Sequence, residues 1–157
     1  VEDPVELRIG ANQVTITLPA AELVTKVVDG KFPDYHRVIP ASQPRHLKAN
    51  RLSVIQALQR AAILSNEKFR GVRLVMSENT LGIVCNNNEQ EEAADEIEVS
   101  YDGDPLDVGF NVTYLLDGLG ALNSEEITLS LGDANSSMLL TSEGESGFKY
   151  VVMPMRI

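Results

Sequence analysis

The sequence predicts an α+β domain in which two helices pack on antiparallel sheets. Three observations lead to this fold class. Apolar residues recur at helical spacing in only two stretches of the chain, and short strand patterns separated by turn residues fill most of the rest. The order of one strand, one helix and three strands occurs twice, with a period of about sixty residues, which indicates an internal duplication.

The first 34 residues contain strand patterns and no helix pattern. Strands are predicted at Val5–Ile9, Val14–Leu18 and Leu23–Val28, and a stretch rich in proline and turn residues follows them. We therefore expect residues 1–34 to be the end of a preceding domain and residues 35–157 to form a domain of their own. Because the sequence does not begin with methionine, we expect it to be cut from a longer chain.

The first predicted repeat begins with a strand at His46–Ala49. Asn50 is a candidate N-cap, since its side chain can accept hydrogen bonds from the first turn of a helix that runs to about Leu64. Ile55, Leu58 and Ala62 form the predicted apolar stripe of this helix. Three strands are predicted after it, at Gly71–Met76, Thr80–Cys85 and Glu91–Tyr101.

The second predicted repeat begins with a strand at Leu106–Gly109, and Asn111 is its candidate N-cap. The helix that follows carries an amphipathic stripe made of Val112, Leu115, Leu116, Leu119 and Leu122. Three further strands are predicted at Ile127–Leu131, Ser137–Thr141 and Phe148–Met153.

Charge is distributed very unevenly along the chain. The net charge is −10, which as a single number argues against a nucleic-acid coating protein. Residues 35–73 nevertheless carry eight basic groups and one acidic group, whereas residues 74–148 carry sixteen acidic groups and no lysine or arginine. Such asymmetry is compatible with one electropositive face, and also with charges that mix evenly in the folded chain.

The sequence offers no catalytic constellation, and no cofactor or metal site is predicted. Its two histidines, His36 and His46, lie near prolines, and phosphate-binding glycine motifs are missing. Cys85 has apolar or amide neighbours, which favours a core thiol over a nucleophile. The acidic run at 89–96 matches no calcium loop and favours a solvated strand face or a docking edge.

Two features are less ordinary. Tyr114 lies off the leucine stripe of its helix and should face away from the packed side. The segment 150–157 is apolar and contains two methionines, and Pro154 should end strand pairing there. This segment is predicted to be either a final core strand or an adaptable binding surface.

Five motifs, in order along the chain, resemble the bacterial sliding clamp family, the beta subunit of DNA polymerase III. The motifs are residues 32–40 (FPDYHRVIP), 60–71 (RAAILSNEKFRG), 86–93 (NNNEQEEA), 109–116 (GFNVTYLL) and 150–157 (YVVMPMRI). The resemblance implies that residues 1–34 are the last strands of the clamp's middle domain. It also implies that residues 35–157 are the third domain, a DNA-clamp domain with a duplicated strand–helix–three-strand unit.

In this family, short linear peptides of polymerases, the clamp loader and mismatch-repair proteins dock in a hydrophobic pocket between the second and third domains. The resemblance maps the third-domain wall of that pocket to Pro33, Arg37, Val38, Phe69, Asn111, Tyr114, Asn135, Ser137, Val151, Val152, Met153, Pro154, Met155 and Arg156. Asn135 departs from the apolar residue of the family, and Ile157 stands where leucine is common.

The resemblance also implies that the full-length protein forms a homodimeric ring, which closes head-to-tail around duplex DNA. The third-domain side of the subunit joint maps to Ile63, Leu64, Glu89, Glu91 and Asp95. In this family the clamp slides along DNA through non-specific contacts, which we map to Arg51, Gln56, Arg60, Lys68 and Arg70. Because the first domain is absent from these residues, we do not expect this chain to form the ring by itself.

The leading hypothesis is a DNA replication processivity factor that has no catalytic residues. We expect it to be cytoplasmic, to associate with the replisome and not to bind a membrane. The alternative is an acidic peptide-binding module unrelated to DNA.

Overall fold

The computed structural model describes residues 4–65, 70–86 and 91–157. The chain divides into two compact units, one ending at Asp34 and one beginning at Tyr35. None of the helices in the described ranges is both long and apolar enough to span a membrane.

The first unit is a three-stranded antiparallel sheet with the order β1-β2-β3. Its strands are β1 Glu6–Ile9, β2 Gln13–Leu18 and β3 Ala21–Lys26. β3 lies two residues earlier than the predicted strand. The reason is its register, because it pairs with all of β2, from Ala21 opposite Leu18 to Lys26 opposite Gln13.

The second unit contains both predicted repeats, after a 3-10 turn at Tyr35–Arg37. The elements of the first repeat are β4 Arg45–Asn50, α1 Arg51–Ala62, β5 Gly71–Ser77, β6 Thr80–Asn86 and β7 Glu92–Glu98. The elements of the second are β8 Leu106–Asn111, α2 Val112–Gly120, β9 Glu126–Leu131, β10 Met138–Thr141 and β11 Tyr150–Val152. The predicted α+β class with two helices and antiparallel sheets is confirmed.

The two repeats exchange their first strands. One sheet has the order β11-β10-β9-β4 and the other β7-β6-β5-β8, so each three-stranded meander takes the first strand of the other repeat. A bridge at the outer edge of each exchanged strand extends this arrangement. Lys48 in β4 pairs with Ser100, and Gly109 in β8 pairs with Met155. The chain therefore leaves β7 at Glu98, and the predicted strand to Tyr101 is too long because Ser100 pairs with β4 instead.

Both helices bury one face in a single core shared by the two sheets. The buried residues of α1 are Val54, Ala57, Leu58 and Ala61. Ile55 and Ala62, which the predicted stripe includes, lie at the partly buried margin, because α1 contacts both α2 and the β6–β7 side of its sheet. In α2, the predicted leucine stripe is buried apart from Leu116, which is partly buried.

Candidate functional site

A surface groove opens where the start of α2 meets β11 and the segment after it. The groove encloses about 470 Å³. Its walls come from the end of β8 and the first turn of α2 on one side and from β11 and Met153–Met155 on the other. The lining residues are Asn111, Tyr114, Tyr150, Val151, Val152, Met153 and Met155.

The first turn of α2 holds Tyr114 in the groove wall. Asn111 has an extended backbone (φ −76°, ψ 118°), and its Oδ1 accepts hydrogen bonds from the backbone N–H groups of Thr113 (2.9 Å) and Tyr114 (3.4 Å). This is the predicted N-cap, and it fixes the backbone of Tyr114 directly. Since Tyr114 lies off the buried stripe, its side chain is 56% exposed. An aromatic ring is thus presented to solvent from a rigid position.

The opposite wall is built on close contact between β11 and α2. The ring of Tyr150 rests on Gly118, where a Cβ atom would lie only 2.6 Å from ring carbon Cδ1. Phe148 stacks on the same tyrosine, with ring centroids 6.3 Å apart. Burial raises the pKa of Tyr150, and the Asp117 carboxylate and Tyr114 raise it further, so this wall stays uncharged at neutral pH.

The segment Met153–Ile157, called the tail segment below, crosses from one sheet to the other. Val152 is buried and pairs with Met138, and the chain then leaves β11. Pro154 has no N–H to donate, and the next main-chain hydrogen bond is from Met155 N–H to the Gly109 carbonyl, at 2.9 Å. The predicted core strand therefore ends at Val152, and an exposed segment follows in which Met153 is 66% accessible; its role as an adaptable binding surface stays a prediction.

Comparison with known proteins decides the family. Residues 36–156 match the family described as DNA polymerase III beta subunit, C-terminal domain. The chain belongs to this family of bacterial sliding clamps. The beta sliding clamp of Salmonella typhimurium is 47% identical over 156 residues, which are 99% of this chain and 43% of that relative. This chain thus spans less than half the length of that clamp.

Solved clamp structures share the fold. A crystal structure of the DNA polymerase III beta subunit from Pseudomonas aeruginosa superposes with a TM-score of 0.89 at 44% identity, covering 98% of this chain and 42% of that one. A second sliding clamp structure from the same organism, bound to griselimycin, gives a TM-score of 0.86 with the same identity and coverage.

The structure brings together six of the residues that clamp resemblance assigns to the peptide pocket. They are Asn111, Tyr114, Val151, Val152, Met153 and Met155. Pro154 and Arg156 belong to the tail segment but are not among the lining residues. Pro33 lies in the other unit, and Phe69 lies outside the described residues.

Four other predicted pocket residues are not among the residues that line this groove, and their part in peptide binding stays a prediction. Arg37 ends the 3-10 turn, and Val38 follows it with an exposed side chain. Asn135 is in the β9–β10 loop, where its N–H donates to Asp133 Oδ1 at 2.8 Å. The carbonyl of Ser137 accepts a hydrogen bond from Gln43 Nε2 at 2.7 Å.

Tyr150 is a groove residue that the sequence prediction misses. The feature of the sequence that could have indicated it is Gly118, a glycine on the leucine side of α2. A buried helical glycine leaves room for a bulky neighbour, and Tyr150 fills that room.

Two basic residues predicted to face DNA in a clamp have partners within the chain. Arg51 donates from Nε to the Ser124 carbonyl (2.8 Å) and from Nη1 to the Leu119 carbonyl (3.2 Å) at the end of α2. Arg60 forms an ion pair with Asp95, at 2.6 Å. Gln56 and Arg70 are exposed, and Lys68 lies outside the described residues.

The residues predicted for the clamp's subunit joint lie near the end of α1 and on the edge strand β7. Ile63, the C-cap residue of α1, is 80% exposed, and Leu64 is half-buried. Asp95 lies in β7 and Glu91 just precedes it, while Glu89 lies outside the described residues. The Arg60–Asp95 pair therefore joins a predicted DNA-facing residue to a predicted joint residue.

Proposed function

We propose that this chain is the peptide-docking part of a DNA replication processivity factor. In this account, the groove beside Tyr114 captures short linear motifs of DNA polymerases, the clamp loader and mismatch-repair proteins, and thereby tethers them to DNA at the replisome in the bacterial cytoplasm. One observation carries the proposal. The chain matches the family's C-terminal domain, and an apolar groove in it is lined by residues that the resemblance assigns to peptide binding.

The chemistry of the groove suits an apolar peptide side chain. A cavity of about 470 Å³ has room for a leucine or phenylalanine side chain and its neighbours. Tyr114 offers a rigid ring, while Met153 and Met155 offer flexible thioethers that adapt to different partners. The uncharged phenol of Tyr150 is compatible with burial of an apolar residue against that wall.

The domain assignment is part of the same proposal. Residues 1–34 are the last strands of the clamp's middle domain and residues 35–157 are its third domain. The compact unit that begins at Tyr35 and the family match from residue 36 support this boundary. The rest of the middle domain would add a second wall to the pocket, so we expect this chain alone to bind peptides more weakly than a whole clamp. On a dimeric ring that carries two grooves, weak sites gain from multivalency.

The proposed contact with DNA is electrostatic and independent of base sequence. Its basis is the block 35–73, which carries a net charge of +7 and includes α1. Gln56 and Arg60 are both exposed on that helix. On contact with DNA, Arg60 would leave its ion pair with Asp95 and bind a phosphate of the DNA backbone. The acidic block 74–148 would repel DNA from the outside of a ring.

The test is a titration of the 157-residue chain with a fluorescently labelled peptide of the Gln-Leu-x-Leu-Phe type. We expect a dissociation constant in the micromolar range, or about −8 kcal/mol. Tyr114→Ala should weaken binding at least about tenfold, since an aromatic anchor of this kind contributes roughly 2 kcal/mol or more.

Leu52→Ala is the matched control. Leu52 is a 53% exposed apolar residue in the first turn of α1, two residues after the N-cap Asn50, and it does not line the groove. Equal loss in both variants, or no binding by the unaltered chain, would contradict the proposed function.

A further inference from the structure

We infer that Ile157 is a positioning residue for the groove, and that it holds the tail segment in place by resting on Gly71 and Gly109. The inference rests on the proposed peptide-binding function and adds an anchor outside the groove lining. Ile157 does not line the cavity, and neither glycine does. Their effect on peptide binding would be transmitted through Met153 and Met155.

The floor under Ile157 consists of two glycines on adjacent strands. Gly71 in β5 pairs with Asn111, and Gly109 in β8 lies two residues before that partner, on the same face of the sheet. A Cβ atom on Gly109 would lie 2.7 Å from Ile157 Cδ1, and one on Gly71 would lie 3.1 Å from the same atom. Both distances are shorter than normal carbon–carbon contact, so a side chain at either position would displace Ile157.

Gly109 also receives the main chain of the tail segment. Its carbonyl accepts the hydrogen bond from Met155 N–H, and a Cβ atom on it would lie 2.5 Å from the Met155 carbonyl oxygen. Such close approach of two backbones is possible only where one residue has no side chain. Gly109 therefore sets how near the tail segment comes to β8.

The position of the tail segment in turn sets the shape of the groove. Met153 and Met155 lie on either side of Pro154 and form part of one wall. Behind them the segment is fixed at Val152, which is buried in the core. Ahead of them it is attached by the Met155–Gly109 hydrogen bond and by the contact of Ile157, itself 62% exposed, with the two glycines. Loss of the second attachment would leave that wall held at one end only.

A graded series of glycine substitutions in the 157-residue chain tests this inference. Gly109→Ala must move the Met155 backbone and should raise the peptide dissociation constant about tenfold. Gly71→Ala would meet the Ile157 side chain less closely, with Cδ1 as the nearest atom at 3.1 Å, and should raise the peptide dissociation constant about two- to threefold. Gly82→Ala is the control: Gly82 lies in β6 of the same sheet, and its added Cβ would meet Val75 at 3.4 Å, an ordinary contact.

Two more measurements separate positioning from a general loss of stability. Ile157→Ala adds no atoms and should weaken peptide binding with little change in melting temperature, whereas Ile157→Leu should restore binding. In Gly109→Ala, hydrogen exchange at the Met155 amide should accelerate while the β9–β10 amides keep their protection. If Gly109→Ala fails to fold, the Ile157 variants decide.

The inference is overturned if Gly109→Ala, Ile157→Ala and Gly82→Ala bind peptide equally. It is also overturned if the Met155 amide already exchanges freely in the unaltered chain. If the unaltered chain binds no peptide, the proposed function fails; a protected Met155 amide that Ile157→Ala releases would then still establish the anchor.

Discussion

At the scale of single residues, the ring of Tyr114 is exposed at the start of α2, and the guanidinium of Arg51 is held near the end of the same helix. An aromatic residue off a leucine stripe must face outward, and it does. The sequence cannot show the partners of an arginine, because these depend on which distant carbonyl groups fold against it. The structure ties the Arg51 guanidinium to the Leu119 and Ser124 carbonyl groups, where a cation also complements the C-terminal end of α2.

Arg51 should therefore contribute to stability whether or not it meets DNA. Arg51→Met leaves the part-buried Ser124 carbonyl without its Arg51 donor and removes one of the donors to the Leu119 carbonyl, so we expect the free energy of unfolding to fall by about 1–3 kcal/mol. Arg60→Met removes only a surface ion pair and should cost less than about 1 kcal/mol. Urea unfolding of the two variants measures the difference; equal changes in free energy would show that Arg51 has no such structural role.

At the scale of elements, each helix begins with an asparagine that ends the preceding strand. Asn50 Oδ1 accepts from Ser53 N–H at 3.0 Å, and Asn111 Oδ1 accepts from Thr113 and Tyr114. Local patterns are sufficient to predict these caps, because capping depends on residues within one turn. The exchange of β4 and β8 between sheets depends on pairing between residues 30 to 40 positions apart for β8 and 76 to 86 positions apart for β4, which strand patterns do not encode.

The two caps provide a matched pair of substitutions. Asn50→Ala and Asn111→Ala should each destabilise the chain by about 1 kcal/mol. Only Asn111→Ala should also weaken peptide binding, because Asn111 lines the groove and holds the backbone of Tyr114. Thermal unfolding together with peptide titration measures both effects, and a similar loss of binding in Asn50→Ala would refute the role given to the Asn111 cap.

At the scale of the whole molecule, the distribution of charge is more informative than its sum. A net charge of −10 argues against contact with DNA, yet the basic groups are concentrated in the block that contains α1. The sequence predicts that basic and acidic groups lie in different blocks, but it does not show which acidic groups fold back onto the basic block. Asp95, from the acidic block, reaches α1 and pairs with Arg60. How much positive charge a DNA-facing surface keeps is thus a property of the folded chain.

The assembly of the chain follows from the same account. A head-to-tail ring joins two different surfaces, and the resemblance places only one of them, around Ile63 and Asp95, within these residues. We therefore expect the 157-residue chain to sediment as an open species without a closed ring. A closed dimer with a central hole would contradict this expectation.

The central claim is that the groove beside Tyr114 is a peptide site, and a two-dimensional NMR titration of the labelled chain tests it most directly. Addition of the Gln-Leu-x-Leu-Phe-type peptide should shift the amide signals of the residues that line the groove, which are Asn111, Tyr114, Tyr150, Val151, Val152, Met153 and Met155. Signals of α1 around Leu52 and of β1–β3 should stay unchanged. Shifts concentrated on those elements, with none at Tyr114 or Met153, would contradict the account.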